Sequence, residues 1–285
     1  MKKRFIPIII FGFGLTAIGL FFYYQTRIIH QENERLQRVI KYNESMFDYL
    51  GQKNQPRLGQ AKRIKFSHYS FDTYQCDLRK VALDFYWIDK KGRTLKSLKN
   101  LWRTLQQQQR TLLFATNAGM FKANHYPVGL YVEQQQQITP LNLDKKRGNF
   151  FLKPNGVFLI TTQQEARIVE SSQYPQYAAS VKYATQSGPL LLINGKIHPK
   201  FGKNSPNRNI RSGVGIINKN EVVFAISNEE VTFYEFASFF KELGCQNALY
   251  LDGHISKMYL PPLKRYDDGG NFGVMIGASI SKRDF

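Results

Sequence analysis

Polar side chains that could carry out chemistry follow apolar runs at several points between residues 112 and 256 of this 285-residue chain. Asn117, Glu229 and Asp252 each stand at or just after the end of such a run. Strand-end loops on a rigid sheet are where binding and catalytic groups usually lie. A carboxylate there could take part in acid, base or nucleophilic catalysis, and a nearby arginine could bind an anionic group. Taken singly, each cluster is also an ordinary turn sequence.

The elements that must position these side chains predict an α+β fold. Alternating apolar residues predict a strand at 81–87, and helical spacing predicts a helix over 95–105. A capping box begins a second helix within 232–244, and the closing glycine ends it. Turn residues at 194–195 and 218–220 predict two hairpins. We therefore expect a single domain with a mixed, largely antiparallel β-sheet and packed helices.

The N-terminus predicts a membrane segment. Three basic residues at 2–4 precede twenty uncharged residues at 5–24, which as a helix match a bilayer core about 30 Å thick. Residues 17–25 offer no small-residue cleavage site, which favours an uncut signal-anchor over a cleaved signal peptide. We expect residues 1–4 in the cytoplasm, a stalk and linker at 25–59, and a domain at 60–285 on the periplasmic or extracellular side.

Charge and cysteine content leave alternatives open. Residues 51–115 carry fourteen basic and four acidic side chains, more than half of the net charge of +19. This excess suits anionic lipid, nucleic acid, a phosphorylated glycan or simply a solvated basic surface. We expect no nucleic-acid partner, because the domain is predicted to face outward and lacks helix-turn-helix, zinc-finger and RNP patterns. Cys76 and Cys245 form a disulfide or remain two buried thiols.

Seven segments in chain order together resemble the phosphodiester glycosidase family, which includes the lysosomal uncovering enzyme and bacterial envelope members. They are NAGMF at 117–121, PVGLYVE at 127–133, NFFLKPNGVF at 149–158, ATQSGPLL at 184–191, IRSGVGI at 210–216, VVFAISNEEVTFYEF at 222–236 and CQNALYLDGHISKMY at 245–259. The resemblance covers about residues 60–280. One position departs from it, since His254 stands where a second glycine is common after Asp252 and Gly253.

The resemblance implies a membrane-anchored hydrolase that cleaves sugar 1-phosphodiester bonds in envelope glycans or glycolipids, without an organic cofactor or a metal. We expect Asp252 to be the main catalytic carboxylate, with Glu229 second and ahead of Glu230. Arg211, and secondarily Arg208, are expected to bind the phosphate. The remaining expected substrate-binding residues are Asn117, Gln186, Ser187 and Ser256 as hydrogen-bonding groups, and Gly119, Gly188 and Gly253 as points of close backbone approach.

Plainer interpretations accompany these assignments. Asp252 could instead cap the turn after its strand, and Arg211 could pair with an acidic residue on the surface. Glu229 could be an acidic residue in the first turn of a helix, where the helix dipole favours it. His254 suits an exposed loop, and the acidic loop at 267–271 lacks the spacing of an EF-hand calcium site. The alternative function is a non-catalytic module that binds a phosphorylated glycan at the cell envelope.

Overall fold

The computed structural model describes residues 8–52, 59–252 and 255–281. The chain divides into two compact units, Met1–Asn54 and Gln55–Phe285. The first contains one helix, α1 (Ile8–Gln52). Within the described ranges, no helix combines the length and apolarity needed to cross a membrane. The predicted span at 5–24, whose first three residues lie outside the described ranges, therefore finds no support in the structure.

The second unit is an α+β domain, which confirms the predicted class. Its described residues form seventeen strands, numbered β1–β17 in chain order, and adjacent strands within each sheet are antiparallel. The expectation of one sheet is corrected, because the strands form three sheets. Buried aromatic residues on their inner faces pack the sheets against each other, and this cross-sheet packing leaves no local sequence signal.

The large sheet has seven strands in the order β1-β2-β13-β12-β14-β10-β11. Its edge strand β1 is mostly exposed and basic, which is a common protection against edge-to-edge pairing. The strands are β1 (Gln60–Phe66), β2 (Tyr69–Asp77), β10 (Leu190–Ile193), β11 (Lys196–Ile197), β12 (Ser212–Asn218), β13 (Glu221–Ser227) and β14 (Asn247–Tyr250). The two predicted hairpins are present as β10–β11 and β12–β13.

The second and third sheets have five strands each. The second sheet has the order β16-β15-β4-β17-β3 and contains β3 (Leu83–Tyr86), β4 (Arg110–Asn117), β15 (Met258–Leu260), β16 (Arg265–Tyr266) and β17 (Met275–Ser281). The third has the order β6-β5-β9-β7-β8 and contains β5 (Tyr131–Glu133), β6 (Gln136–Thr139), β7 (Gly156–Thr161), β8 (Ala166–Glu170) and β9 (Val181–Ser187). The predicted strand at 81–87 corresponds to β3, and burial alternates along all seven residues.

Two helices pack on these sheets. α2 (Leu98–Gln107) covers the second sheet, and α3 (Phe233–Glu242) covers the large sheet. The capping box at the start of α3 is formed as predicted. α2 begins three residues later than predicted, because the Ser97 side chain caps it and Lys96 has a left-handed φ of 65°.

Contacts between aromatic rings join the three sheets. Phe114 lies between Tyr74 and Phe224 of the large sheet, with ring centroids 4.4 and 4.9 Å away. Phe158 of the third sheet contacts both Phe224 and Phe85, at 6.0 and 5.9 Å. Each such aromatic pair contributes about 0.5–1.5 kcal/mol beyond the burial of its apolar area. The three sheets therefore share one core.

The packing of α3 on the large sheet leaves no space for a side chain at Gly215. A Cβ atom there would lie 2.5 Å from Cys245 Sγ and 2.7 Å from the Phe240 ring. Gly215→Ala is expected to lower the free energy of unfolding by about 1–3 kcal/mol, because α3 must shift to accommodate the methyl group. Urea denaturation measures this change. Gly202→Ala, where nothing lies within 4 Å, is the control; equal stability of the two variants would contradict the prediction.

Candidate active site at the junction of three sheets

The large sheet gathers several predicted site residues at one edge. The register pairs Gly213 with Tyr250, so Arg211 before β12 and Asp252 after β14 emerge at the same side. Ser187 and Gly188 precede β10, which pairs with β14 and so starts at that side too. We call this side the site edge. Asp252 is only 8% exposed there.

The other two sheets end at the same place. Asn117, the last residue of β4, accepts a hydrogen bond at Oδ1 from the Lys257 N–H at 2.9 Å. Ser187, the last residue of β9, donates its Oγ–H to the Leu251 carbonyl. Ser256 donates its Oγ–H to the Asp252 carbonyl at 2.9 Å. The segment of residues 251–252 and 255–258, called the junction segment below, is therefore held by strand ends from the second and third sheets.

The junction thus brings together four of the predicted residues, which are Asn117, Ser187, Asp252 and Ser256. Two further polar groups at the site edge, Nδ2 of Asn117 and Oγ of Ser212, are buried and have no hydrogen-bond partner among the described residues. Buried polar groups without partners are rare, since each costs about 1–3 kcal/mol. Gly253 and His254 lie outside the described residues.

The predicted glycines approach protein rather than solvent. A Cβ atom on Gly119 would lie 2.4 Å from Thr185 Oγ1, and one on Gly188 would lie 2.6 Å from Asn155 Cβ. These positions therefore let the loops close against the third sheet. The close approach expected from the sequence is present, but the structure shows it between protein segments.

Gln186 is occupied by protein partners. Its Oε1 accepts from the N–H groups of Leu130 at 3.0 Å and Asn142 at 2.9 Å. Its Nε2 donates to the Asn142 carbonyl at 2.7 Å and to Ser171 Oγ at 3.0 Å. Because an amide side chain has two donors and two acceptor positions, Gln186 is satisfied and ties loops to β9. The structure does not present it to a substrate.

Arg211 is fully buried. Its Nε donates to the Val231 carbonyl at 2.8 Å, its Nη2 to the Asn207 carbonyl at 2.9 Å, and its Nη1 to Tyr250 Oη at 3.1 Å. The guanidinium carbon lies 3.8 Å from the centre of the Phe233 ring. Burial lowers its pKa, and in the described residues its hydrogen-bond partners include no carboxylate. The N–H groups therefore face protein, so Arg211 contributes positive charge to the site rather than the direct phosphate contact expected.

Tyr250 is a site-edge residue that the sequence reasoning missed. Burial raises the pKa of its hydroxyl to about 12. The negative charge of Asp252 also raises this pKa, whereas Arg211 lowers it. The alternation of side chains along a strand could have indicated Tyr250, because residues two apart on a strand point to the same face and Tyr250 lies two residues before Asp252. The Tyr250 hydroxyl accepts a hydrogen bond from Arg211 and is within the electrostatic influence of the predicted catalytic carboxylate.

Arg208 and Glu229 lie away from Asp252. Arg208 donates to Glu235 Oε1 at 2.8 Å and is partly exposed. Glu229 accepts from the N–H and the Oγ–H of Ser70, at 2.7 and 3.0 Å, and is exposed. It follows β13, which lies two strand spacings, about 10 Å, from β14. The structure does not bring the two predicted carboxylates together.

A second acidic group, also missed, lies near Glu229. Asp72 is fully buried and accepts from Arg63 Nε at 2.6 Å, Arg265 Nη1 at 3.1 Å and Asn228 Nδ2 at 3.3 Å. Burial alone raises the pKa of this carboxyl, but the hydrogen bonds from Arg63, Arg265 and Asn228 outweigh burial and lower it. Arg265 belongs to β16, so Asp72 joins the large sheet to the second sheet.

The remaining reactive side chains are separate from the junction. Cys76 and Cys245 are buried free thiols, and burial raises the pKa of both, that of Cys245 to about 12. Within the described ranges, no three His, Cys, Asp or Glu side chains cluster so as to hold a metal ion.

Comparison with known proteins defines the class. Residues 110–274 match the phosphodiester glycosidase family, and this match includes Asn117, Ser187, Arg211 and Asp252. The chain belongs to the phosphodiester glycosidase family, as the sequence resemblance predicted.

Individual relatives agree with this assignment. The chain is 36% identical over 198 residues to the uncharacterized protein YigE of Escherichia coli (strain K12), covering 68% of this chain and 77% of that protein. The fold is shared with the catalytic domain of zebrafish N-acetylglucosamine-1-phosphodiester alpha-N-acetylglucosaminidase auto-inhibited by its pro-peptide, at a TM-score of 0.54, 13% identity, and 77% and 81% coverage. A hypothetical protein from Synechocystis has a TM-score of 0.52 at 15% identity over 78% of this chain, which spans only 62% of that protein.

The buried Asp72 predicts a stability change at acidic pH. Because its folded-state pKa is lowered, its stabilisation is complete above the unfolded value of about 3.9 and is lost as the pH falls through the folded value. Asp72→Asn is expected to lower the free energy of unfolding by about 3 kcal/mol at pH 7, since it leaves buried arginine groups unpaired. Urea titrations at pH 7 and at successively lower pH values measure the difference.

The loss should shrink once the pH is below the folded-state pKa. Asp144→Asn, which alters an exposed carboxylate, is the control and should change stability little. A loss of equal size at all pH values would show that Asp72 stabilises the sheets by packing and not by its charge.

Proposed function

We propose that this domain hydrolyses sugar 1-phosphodiester bonds at the site edge, with Asp252 as the catalytic carboxylate. The observation that carries the proposal is that Asp252, in a chain of this family, lies in a segment held by strand ends from the second and third sheets. Its backbone is fixed by Ser187 and Ser256, so the carboxylate is positioned before substrate arrives. Such preorganisation is what a short-lived, charged transition state requires.

The reaction breaks the bond between the anomeric carbon and the bridging oxygen. Asp252 stabilises the developing positive charge on the sugar, as a nucleophile or as the base that takes a proton from water. The oxygen of water ends on the anomeric carbon, and the bridging oxygen leaves with the phosphate. A phosphate monoester is a good leaving group, so strong acid assistance is not required.

Two features support binding of a phosphate-bearing sugar. Arg211 supplies buried positive charge that no carboxylate neutralises through a hydrogen bond in the described residues. Asn117 Nδ2 and Ser212 Oγ, which have no partner in the part of the chain that the structure describes, are suited to hydrogen bonds with a hydroxyl or phosphate oxygen. Envelope glycans or glycolipids are the proposed source of the substrate.

A phosphoglycan-binding module is the second candidate. It is favoured by Gln186, whose side chain is occupied by protein partners, and by Glu229, the expected second carboxylate, which is bound to Ser70. Hydrolysis releases free sugar, whereas binding alone is saturable and gives no product. The two functions are therefore separated by one assay.

Asp252→Asn is expected to lower the release of sugar from an N-acetylglucosamine 1-phosphodiester by at least about 100-fold, because the amide can act neither as nucleophile nor as base. The full-length chain is incubated with this diester and with a small panel of other sugar 1-phosphodiesters, and free reducing sugar is measured. Asp268→Asn, in an exposed loop, is the matched control and should retain activity.

The variants must first show the same thermal unfolding as the parent chain. Normal turnover by a folded Asp252→Asn protein would remove Asp252 from the mechanism. Saturable binding without product across the whole panel would favour the binding module.

We also propose that the domain lies outside the cytoplasm, anchored by residues 5–24. The support is the sequence alone, in which three basic residues precede twenty uncharged ones. A C-terminal alkaline phosphatase fusion is expected to be active in bacteria, and its activity should be lost on deletion of residues 2–24. Carbonate extraction tests the anchor separately. Release of the fusion into the soluble fraction would exclude an anchor, and an inactive full-length fusion would exclude an outward domain.

A further inference from the structure

A groove of about 360 Å³ lies at the edge of the large sheet opposite Asp252. β12 runs from the site edge to Asn218 at this groove, and β14 starts from it at Asn247. The lining of the groove runs from Leu190, two residues after Gly188, to Asn194, Asn218 and Asn247 at the far ends of the strands. The far end of the seven-residue β12 lies about 20 Å from the site edge. Asp252 does not line this groove, and the groove's volume is within the range of small-molecule sites. We call it the far groove.

The far groove is lined by side-chain amides. Gln173, Asn194 and Gln246 make no side-chain hydrogen bond in the described part of the chain, and the Nδ2 group of Asn247 is likewise unused. Amides both donate and accept, which matches the hydroxyl groups of sugars. Tyr177 adds a partly exposed ring, and ring faces pack against the C–H groups of sugars.

The charges around the groove are neutralised by one another. Arg167 and Lys219 both contact Glu165, at 3.1 and 3.0 Å, and Glu170 supplies a further negative charge. The charges of Arg167, Lys219, Glu165 and Glu170 therefore sum to zero, which does not favour a phosphate or another anion. This distinguishes the far groove from the site edge, where Arg211 is not neutralised in this way.

A peptide strand is a poorer match. The outer edge of β8 lines the groove, but the Ala166 N–H already donates to the Lys219 carbonyl at 2.7 Å. Only Ile168 and Glu170, at alternate positions, remain to face an added strand along this five-residue edge. A longer run of backbone pairs is typical of strand addition.

We propose that the far groove binds a neutral oligosaccharide through its amides and Tyr177. This site is independent of hydrolysis at Asp252. In an enzyme acting on a long glycan it would hold a part of the chain that is remote from the phosphodiester.

Isothermal titration of the full-length chain with four neutral probes tests the proposal, namely the hexasaccharides of chitin, cellulose, maltose and xylose series. At least one is expected to bind with a Kd of about 1 mM or tighter. The double variant Gln173→Ala/Gln246→Ala should weaken that binding at least about tenfold, because each lost amide removes hydrogen bonds to hydroxyl groups. Both side chains are exposed, so the variant is expected to fold.

Two controls locate the site. Gln107→Ala, on the exposed surface of α2, and Asp252→Asn should each leave the Kd unchanged. Absence of binding by all four probes at about 10 mM would overturn the proposal. It would also be overturned if Asp252→Asn abolished binding while the double variant did not, because the sugar would then occupy the site edge. A failure of hydrolysis alone leaves the far groove unaffected.

Discussion

The packing of Phe114 between Tyr74 and Phe224 is the contact on which the arrangement of the site depends. Phe114 lies three residues before the end of β4, and Phe224 lies three residues before the end of β13. Because both rings are close to strand ends and are fully buried, their contact sets where those ends lie relative to each other. Phe158 extends the same contact to the third sheet. The junction segment is thus positioned by the core rather than by its own loop sequence.

Two buried charged residues, Asp72 and Arg211, differ in the kind of partner that binds them. Asp72 sits between Arg63 and Arg265 and serves to join the large and second sheets. Arg211 instead has neutral hydrogen-bond partners in the described residues and stacks on Phe233, so no carboxylate hydrogen bond there offsets its positive charge. A buried arginine is costly unless its donors are satisfied, and the carbonyl groups around Arg211 meet that requirement without cancelling its charge. This combination suits an anionic ligand.

The roles of the predicted site residues were harder to predict from the sequence than their positions at strand ends. The motif order correctly placed Asn117, Ser187 and Asp252 at strand ends that meet. It did not reveal that Gln186 is saturated by loop partners or that Glu229 is bound by Ser70, because each depends on residues distant in sequence that fold beside it. Local patterns carry information on strand ends, whereas hydrogen-bond partners depend on the packing of the sheets.

By itself, the sequence determined the local elements and the family. The capping box of α3, the two hairpins and the alternation around β3 follow from interactions among residues close in the chain, which propensity and periodicity report. Tertiary structure alone decided that the strands form three sheets, that Arg211 faces inward and that Tyr250 bonds to Arg211. These outcomes depend on contacts between residues tens to hundreds of positions apart. Such contacts are set by how side chains fill a shared core, and a linear pattern does not specify that filling.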